Sequence, residues 1–392
     1  MNPSGRAAVG RNMNAGPHAE QRCRLCGHRS PLVASHLGVC GACIRRRPAE
    51  ARPLVEAAHA APRRLFAMPV APPRTPGGVR CGLCLHRCLL GEGERGYCGL
   101  RVARGGRLLH LAGTPALGLL HWYRDPLPTN CVAMWACAGR DRRRGHNLAV
   151  FYGSCTLNCL FCQNWHYRDL LPTNDEIAAA GGSVPPAVAP SLRRRGISAA
   201  ALAAAATSET FCVCYFGGDP ASQLPHALAS ATLLADRGVV VCWESAGTAH
   251  PKLMDRAVEL SLRSNGTVKF DLKAYDEHLH IALTGSSNRQ TLENLARAAR
   301  RYVERPDPPL VVASTLLVPG YVDAEEVGRI ARFLAGFSRD IPYALLAFAP
   351  NFYMPDLPCT SVRHAAEAEA AARAAGLTNV RVGNRHLLSR DY

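Results

Sequence analysis

The chain has 392 residues, 48% of them hydrophobic, enough for one large domain beside a smaller one, and no uninterrupted apolar run reaches membrane-spanning length. Its net charge of +16 is unevenly placed: residues 1–150 hold 23 arginines, no lysine and 7 acidic residues, whereas 151–392 hold 23 basic and 23 acidic residues and are neutral. The opening stretch MNPSGRAAVGRNMNAG lacks the apolar centre of a secretory signal, and seventeen cysteines, mostly in metal-type spacings, predict a reducing, cytoplasmic setting with no membrane partner.

Residues 1–20 are small and polar without periodicity and are expected to be disordered. Residues 21–48 carry Cys23-x2-Cys26 and Cys40-x2-Cys43, thirteen residues apart. Paired knuckles of this kind close a tetrahedral zinc site, whose metal stabilises a segment too short to own a core. The arginines around them leave two readings, a surface for nucleic acid or an acidic partner, and a solvated face with no ligand. Residues 49–80, bounded by RRRPAEARP and VAPPRTPGG, read as a linker around one short helical patch. The cysteine-rich segment 81–146 opens with Cys81, Cys84, Cys88 and Cys98; Gly91, Gly93 and Gly96 suit a turn that folds Cys98 back on the first three. Four thiols so placed predict zinc or an iron–sulfur cluster. Cys131 and Cys137 are read as buried thiols.

The core is expected over 147–392. The apolar run Leu148–Tyr152 predicts a strand, and directly after it Cys155, Cys159 and Cys162 stand at the spacing C-x3-C-x2-C. Three thiolates suit a 4Fe–4S cluster, because they hold three irons and leave the fourth open to a ligand. The alternative is a structural zinc loop borrowing His146 or His166; the asymmetry of the triplet favours the cluster. Downstream, strand-like segments at 211–216, 239–244, 267–272, 310–317, 343–348 and 379–382 alternate with helical ones at 198–207, 222–236, 251–262, 289–303, 323–336 and 361–375. Such alternation predicts an α/β fold with a parallel sheet and crossover helices.

The cysteine loop, with Phe161 before its last cysteine and Gln163-Asn164-Trp165 after it, resembles the radical S-adenosylmethionine (SAM) superfamily, and within it proteins similar to the pyruvate formate-lyase activating enzyme. The resemblance implies an open (βα)6 partial barrel from about Asn147 to Asn384, joined to a small N-terminal metal-binding region. It also implies a 4Fe–4S cluster on Cys155, Cys159 and Cys162 whose open iron chelates SAM. One electron, from a donor such as flavodoxin or ferredoxin, would split SAM into methionine and a 5'-deoxyadenosyl radical that abstracts hydrogen from the substrate. The array from Cys81 to Cys98 is similar to the cysteine-rich segment preceding the radical motif in one branch of these proteins.

Further sites follow along the barrel. Gly217-Gly218-Asp219-Pro220 alone is a turn, but it resembles the family's Gly-Gly-Glu-Pro motif, which implies contact with the SAM amino group, with Asp219 standing where the family has Glu. Glu244 and Ser245 are candidates for the ribose, or Ser245 and Thr248 for helix capping. Asp271 and Lys273, two apart on a strand, share a face and make an ion pair by themselves. The resemblance places Lys273 at the SAM carboxylate, with Asp271 orienting it or meeting substrate. Pro319-Gly320 matches the family's Val-Pro-Gly turn beside the adenine, Asn351 a substrate contact, and Gly383-Asn384 a further family position. Cys212, Cys214 and Cys242 are read as packing residues.

Four functions are compatible with these residues: activation of a partner protein through a glycyl radical, radical modification of a small molecule or peptide, RNA modification gripped by the basic zinc ribbon, and a zinc-dependent interaction protein. Residues 163–210 contain no cysteine, so the ferredoxin-like insert common in glycyl-radical activating enzymes is missing, which weakens the first. The intact triplet and the Asp271/Lys273 pair argue against the last.

Overall fold

The computed structural model describes residues 19–129, 131–180 and 188–392, so the disorder expected of 1–20 falls, apart from residues 19 and 20, outside the described residues. The centre is an eight-stranded sheet. Its strands are β1 (Leu120–Pro126), β2 (His146–Tyr152), β3 (Thr210–Phe216), β4 (Val240–Ser245), β5 (Val268–Asp271), β6 (Val311–Leu317), β7 (Tyr343–Ala347) and β8 (Val380–Gly383). Their order in space follows their order in the chain; β2 to β8 run parallel and β1 pairs antiparallel with β2. Runs such as VVASTLL in β6 are apolar and almost wholly buried because helices cover one face and the barrel interior the other. This is the expected open α/β barrel, with each predicted strand in place to within a few residues. The predicted helices at 251–262 and 361–375 lie at Pro251–Arg263 and Val362–Ala374, the latter capped by Ser361, whose Oγ accepts from His364 N at 3.0 Å.

Among the elements that escaped the sequence pattern, two belong to the core. The sheet starts before 147, since β1 is a half-exposed antiparallel edge in a segment that otherwise reads as cysteine-rich turns. The helix Glu277–Thr284 is too short for its periodicity to stand out and is stopped by Gly285 in the left-handed region, φ 73°.

The linker expected over 49–80 is corrected more sharply. Pro48–Leu65 is an 18-residue helix with Pro48 at its first turn, where a missing N–H costs nothing. Pro53 and Pro62 lie inside it and disguise it in sequence. Its buried face runs Ala51, Val55, Ala58, Pro62, at helical spacing, and packs on Glu277–Thr284.

The N-terminal knuckle is docked on the barrel and shares its core: Cys23, Ala34, Leu37, Val39 and Ile44 belong to the same buried cluster as the barrel strands. The Tyr321 hydroxyl accepts from Ala34 N at 2.9 Å and donates to Val39 O at 3.0 Å, while Arg45 pairs with Asp323 at 2.6 Å. No helix among the described residues is long and apolar enough to cross a membrane.

Candidate active site

β2 delivers the chain into the cysteine loop at the carboxyl edge of the sheet, and the loop is held from three sides. Asn158 N and Leu160 N donate to the Thr284 and Leu283 carbonyls at 2.8 and 3.1 Å. His59, on the helix that sequence reading took for a linker, faces the Asn158 side chain at 3.1 Å and the Ala282 carbonyl at 3.0 Å. His86 meets the Thr156 carbonyl at 2.6 Å, and Arg168, buried between Tyr167 and Phe352, donates to Asn158 Oδ1 at 3.2 Å. Cys155, Cys159 and Cys162 thus stand on one loop that these contacts hold in place. Burial pushes the Cys159 thiol up to about 12, although the Lys273 charge opposes it, and pushes the Cys155 thiol well above its ordinary range. Thiols so buried ionise readily only when a cation offsets the charge, which is the chemistry of a metal-cluster donor set. His146, the alternative fourth ligand, sits at the opposite end of β2, bonded to Thr210 Oγ1 at 2.7 Å.

Lys273 faces this loop, its ammonium 5.6 Å from the Phe161 ring centroid, and pairs with Asp271 Oδ2. Asp271 Oδ1 and Ser314 Oγ are buried without a hydrogen-bond partner, and the two residues are paired in register on β5 and β6. Buried polar atoms rarely go unmatched, so these two mark a place for a polar ligand on the inner face of the sheet. The residues present therefore fit both a cluster and a polar molecule beside it.

The glycine turn after β3 is fixed by its own geometry. Gly217 and Gly218 have φ of 66° and 55°, and a Cβ on Gly218 would stand 2.2 Å from the Tyr152 carbonyl oxygen. Asp219 is 2% exposed and its carboxylate is already engaged: Oδ1 accepts from Ala221 N at 2.8 Å and Ser245 Oγ at 2.9 Å, and Oδ2 from Ala246 N at 3.2 Å. It ties the end of β3 to the loop after β4, and Ser245 is its partner. Glu244 lies apart from them, 3.5 Å from the Lys269 ammonium, with burial raising its carboxyl to about 6. Gly320 packs under the knuckle, where a Cβ would lie 2.2 Å from the Leu32 carbonyl oxygen. Asn351 Oδ1 accepts from Phe352 N at 2.8 Å, inside its own turn. Asn384 follows β8 with φ 53°.

Among the described residues, Cys23, Cys26, Cys40 and Cys43 are the group of four ligand atoms that lie within 4.8 Å of one another, with Cys26 and Cys40 sulfurs 3.9 Å apart. Tetrahedral bonds of about 2.3 Å to zinc put sulfurs about 3.8 Å apart, so the donors are close to that geometry. Cys81 and Cys88 share a small core with Leu90 and Tyr97, and burial raises the thiols of Cys81, Cys84 and Cys88. The array abuts the cysteine loop, since Ser154 Oγ donates to the Cys98 carbonyl at 2.8 Å.

Sequence reading missed His59 and Arg168 as braces of this loop. It also missed Lys269, an inward-facing lysine that meets Cys131, Cys214 and Glu244. The scarcity of lysine, three in the chain, was the signal available for the last.

Residues 149–334 match the family model of the radical SAM superfamily. A Methanocaldococcus jannaschii protein provisionally described as a glycyl-radical enzyme activating enzyme is 32% identical over 133 residues, 34% of this chain and 48% of that protein. The isethionate sulfite-lyase activating enzyme of Oleidesulfovibrio alaskensis is 33% identical over 134 residues, 34% of this chain and 40% of that enzyme. The matches thus span less than half the length of either curated relative. Among solved structures, a domain of a pyruvate-formate lyase-activating enzyme from Bacteroides vulgatus aligns at 20% identity and TM-score 0.35, covering 44% of this chain and 99% of that one. SuiB of Streptococcus suis bound to S-adenosylmethionine aligns at 14% identity and TM-score 0.39, covering 62% and 51%. Both structural likenesses are too distant to bear on function. The family match takes in the C-x3-C-x2-C loop at the end of β2 and runs from that strand into the helix before β7, so residues 149–334 carry a radical SAM domain.

Proposed function

We propose that this protein is a radical SAM enzyme that activates a partner protein by hydrogen abstraction from glycine. The observation that carries the radical chemistry is the cysteine triplet, Cys159 buried and Cys155 and Cys162 half-buried, facing the Lys273–Asp271 pair, with Asp271 Oδ1 and Ser314 Oγ left unmatched beside it. When bound, a 4Fe–4S cluster on Cys155, Cys159 and Cys162 together with SAM supplies a reductively generated 5'-deoxyadenosyl radical. Lys273 would hold the SAM carboxylate and Asp271 would orient Lys273. The opened backbone at Gly217-Gly218 would take the amino group; the Asp219 carboxylate, engaged elsewhere, would shape that turn. Glu244 and Ser245 would border the ribose and Pro319-Gly320 the adenine. A flavodoxin or ferredoxin would supply the electron, and the seventeen unpaired thiols support a reducing, cytoplasmic setting.

The choice of a protein substrate rests on the two activating-enzyme relatives. Some N-terminal arginines are structural, although most of those among the described residues, Arg22, Arg24, Arg29 and Arg142 included, stay exposed, so the basic surface of the RNA reading remains. Arg101 is 1% exposed and donates to the Ala112 and Ser222 carbonyls at 2.8 and 3.1 Å; Arg95 donates to the Gly99 and Pro172 carbonyls, both at 3.0 Å. The test is to incubate the reduced enzyme and SAM with a glycyl-radical partner made from deuterated glycine. Deuterium should appear in 5'-deoxyadenosine. Deuterium gained only from a small molecule or peptide would replace the proposal with the biosynthetic reading.

Zinc is proposed for the knuckle. Elemental analysis of the full chain should lose about one zinc when Cys26 and Cys40 are both changed to Ser. Unchanged zinc, or iron lost in its place, would remove that assignment.

A further inference from the structure

Outside the sites described above, five cysteines converge on one buried lysine. Cys131 and Cys137 come from the loop between β1 and β2, Cys212 and Cys214 from β3, and Cys242 from β4. Together with Lys269 they line one cavity. Cys214 and Cys242 are partners in register on neighbouring parallel strands, so their side chains leave the same face of the sheet side by side. Lys269, 1% exposed, donates to the Cys131 and Cys214 sulfurs, both at 2.9 Å, with the Glu244 carboxylate 3.5 Å away. Cys212 has a partner of its own, Asn147 Oδ1 at 3.4 Å. That leaves Cys131, Cys137, Cys214 and Cys242 as a set of four.

As mere packing this arrangement is expensive. An ammonium out of water needs anionic neighbours, and neutral thiols are weak acceptors that repay little of its lost hydration. Thiolates satisfy the lysine, but several thiolates exceed what one ammonium and a competing Glu244 can balance. A thiophilic cation resolves the conflict: it takes up the thiolates, releasing their protons, while Lys269 stays outside the coordination shell and donates to ligand sulfur. Hydrogen bonds of that kind also tune the potential of thiolate-bound metal centres.

We propose that Cys131, Cys137, Cys214 and Cys242 bind a further thiophilic metal centre inside the barrel, with Lys269 as its positioning residue. It lies one layer of the sheet beneath the Asp271–Lys273 pair, since Lys269 and Asp271 are two apart on β5 and face the same way. The site does not depend on the radical reading, because none of its ligands belongs to the C-x3-C-x2-C loop.

The test uses the full chain with Cys155, Cys159 and Cys162 all changed to Ala, so that iron on that loop cannot be counted. It is loaded anaerobically in two arms, with ferrous iron plus sulfide and with zinc alone, and metal per chain is compared before and after adding Cys131→Ala and Cys137→Ala. These two lie on a loop outside the parallel strands, so the barrel should survive, and circular dichroism checks that it does. The expected result is the loss of about four irons in the first arm, which identifies an iron–sulfur cluster, with zinc in the second arm unchanged, because among the described residues only the knuckle's sulfurs gather closely enough for a single ion. Cys214→Ala with Cys242→Ala should give the same loss. Lys269→Met should retain the metal and shift its reduction potential or its thiolate-to-metal absorption. Equal iron content with and without Cys131 and Cys137, or a loss confined to zinc, would overturn the proposal and return these residues to packing.

Discussion

Changing Cys155, Cys159 and Cys162 together to alanine is expected to remove about four irons per chain and all SAM cleavage, while metal on the upstream arrays remains. The reason is structural as much as chemical. The loop is clamped by the Thr284 and Leu283 carbonyls and by the His59–Asn158–Arg168 contacts, none of which involves a cysteine side chain. The triple variant should therefore fold, and its thermal transition should stay close to that of the metal-free parent. Iron analysis and low-temperature magnetic resonance of the reduced protein read the loss directly. A reducible cluster whose spectrum still responds to SAM in this variant would place the active cluster elsewhere.

Lys273→Ala should leave the iron in place and weaken SAM binding by about 10- to 100-fold, the scale of one lost hydrogen bond to a charged group, about 1.5–3 kcal/mol. The variant also strands the half-buried Asp271 carboxylate, already unmatched at Oδ1, as an unpaired charge. A second variant, Asp271→Asn with Lys273→Met, removes both charges at nearly constant volume and separates the two effects. If Lys273 holds SAM, both variants bind weakly; if it serves only to neutralise Asp271, the double variant recovers SAM affinity. Equilibrium binding of SAM to the clustered enzyme distinguishes them.

The barrel was readable in the sequence because its strands are buried on both faces and so are apolar at almost every position, as in Val311–Leu317, and because its helices carry amphipathic stripes between capping residues such as Asp323 and Ser361. What could not be read were elements defined by tertiary contact. The helix Pro48–Leu65 carries two interior prolines, and only its packing against Glu277–Thr284 makes it a helix worth forming. The candidate site follows the same division. The cysteine spacing, the paired glycines and the Asp271/Lys273 alternation are local and were legible. The engagement of Asp219 by Ala221, Ser245 and Ala246, and the convergence of Cys131, Cys214 and Cys242 on Lys269, join residues far apart in the chain that no local pattern connects.

The most direct measurement is the quantity of 5'-deoxyadenosine and methionine formed when the anaerobically reconstituted, chemically reduced full-length protein is given SAM. The expected result is both products in equal amounts, lost on omission of the reductant and lost in the cysteine triple variant. A fully clustered, reduced enzyme that binds SAM yet forms neither product, with or without a partner protein, would contradict the radical function.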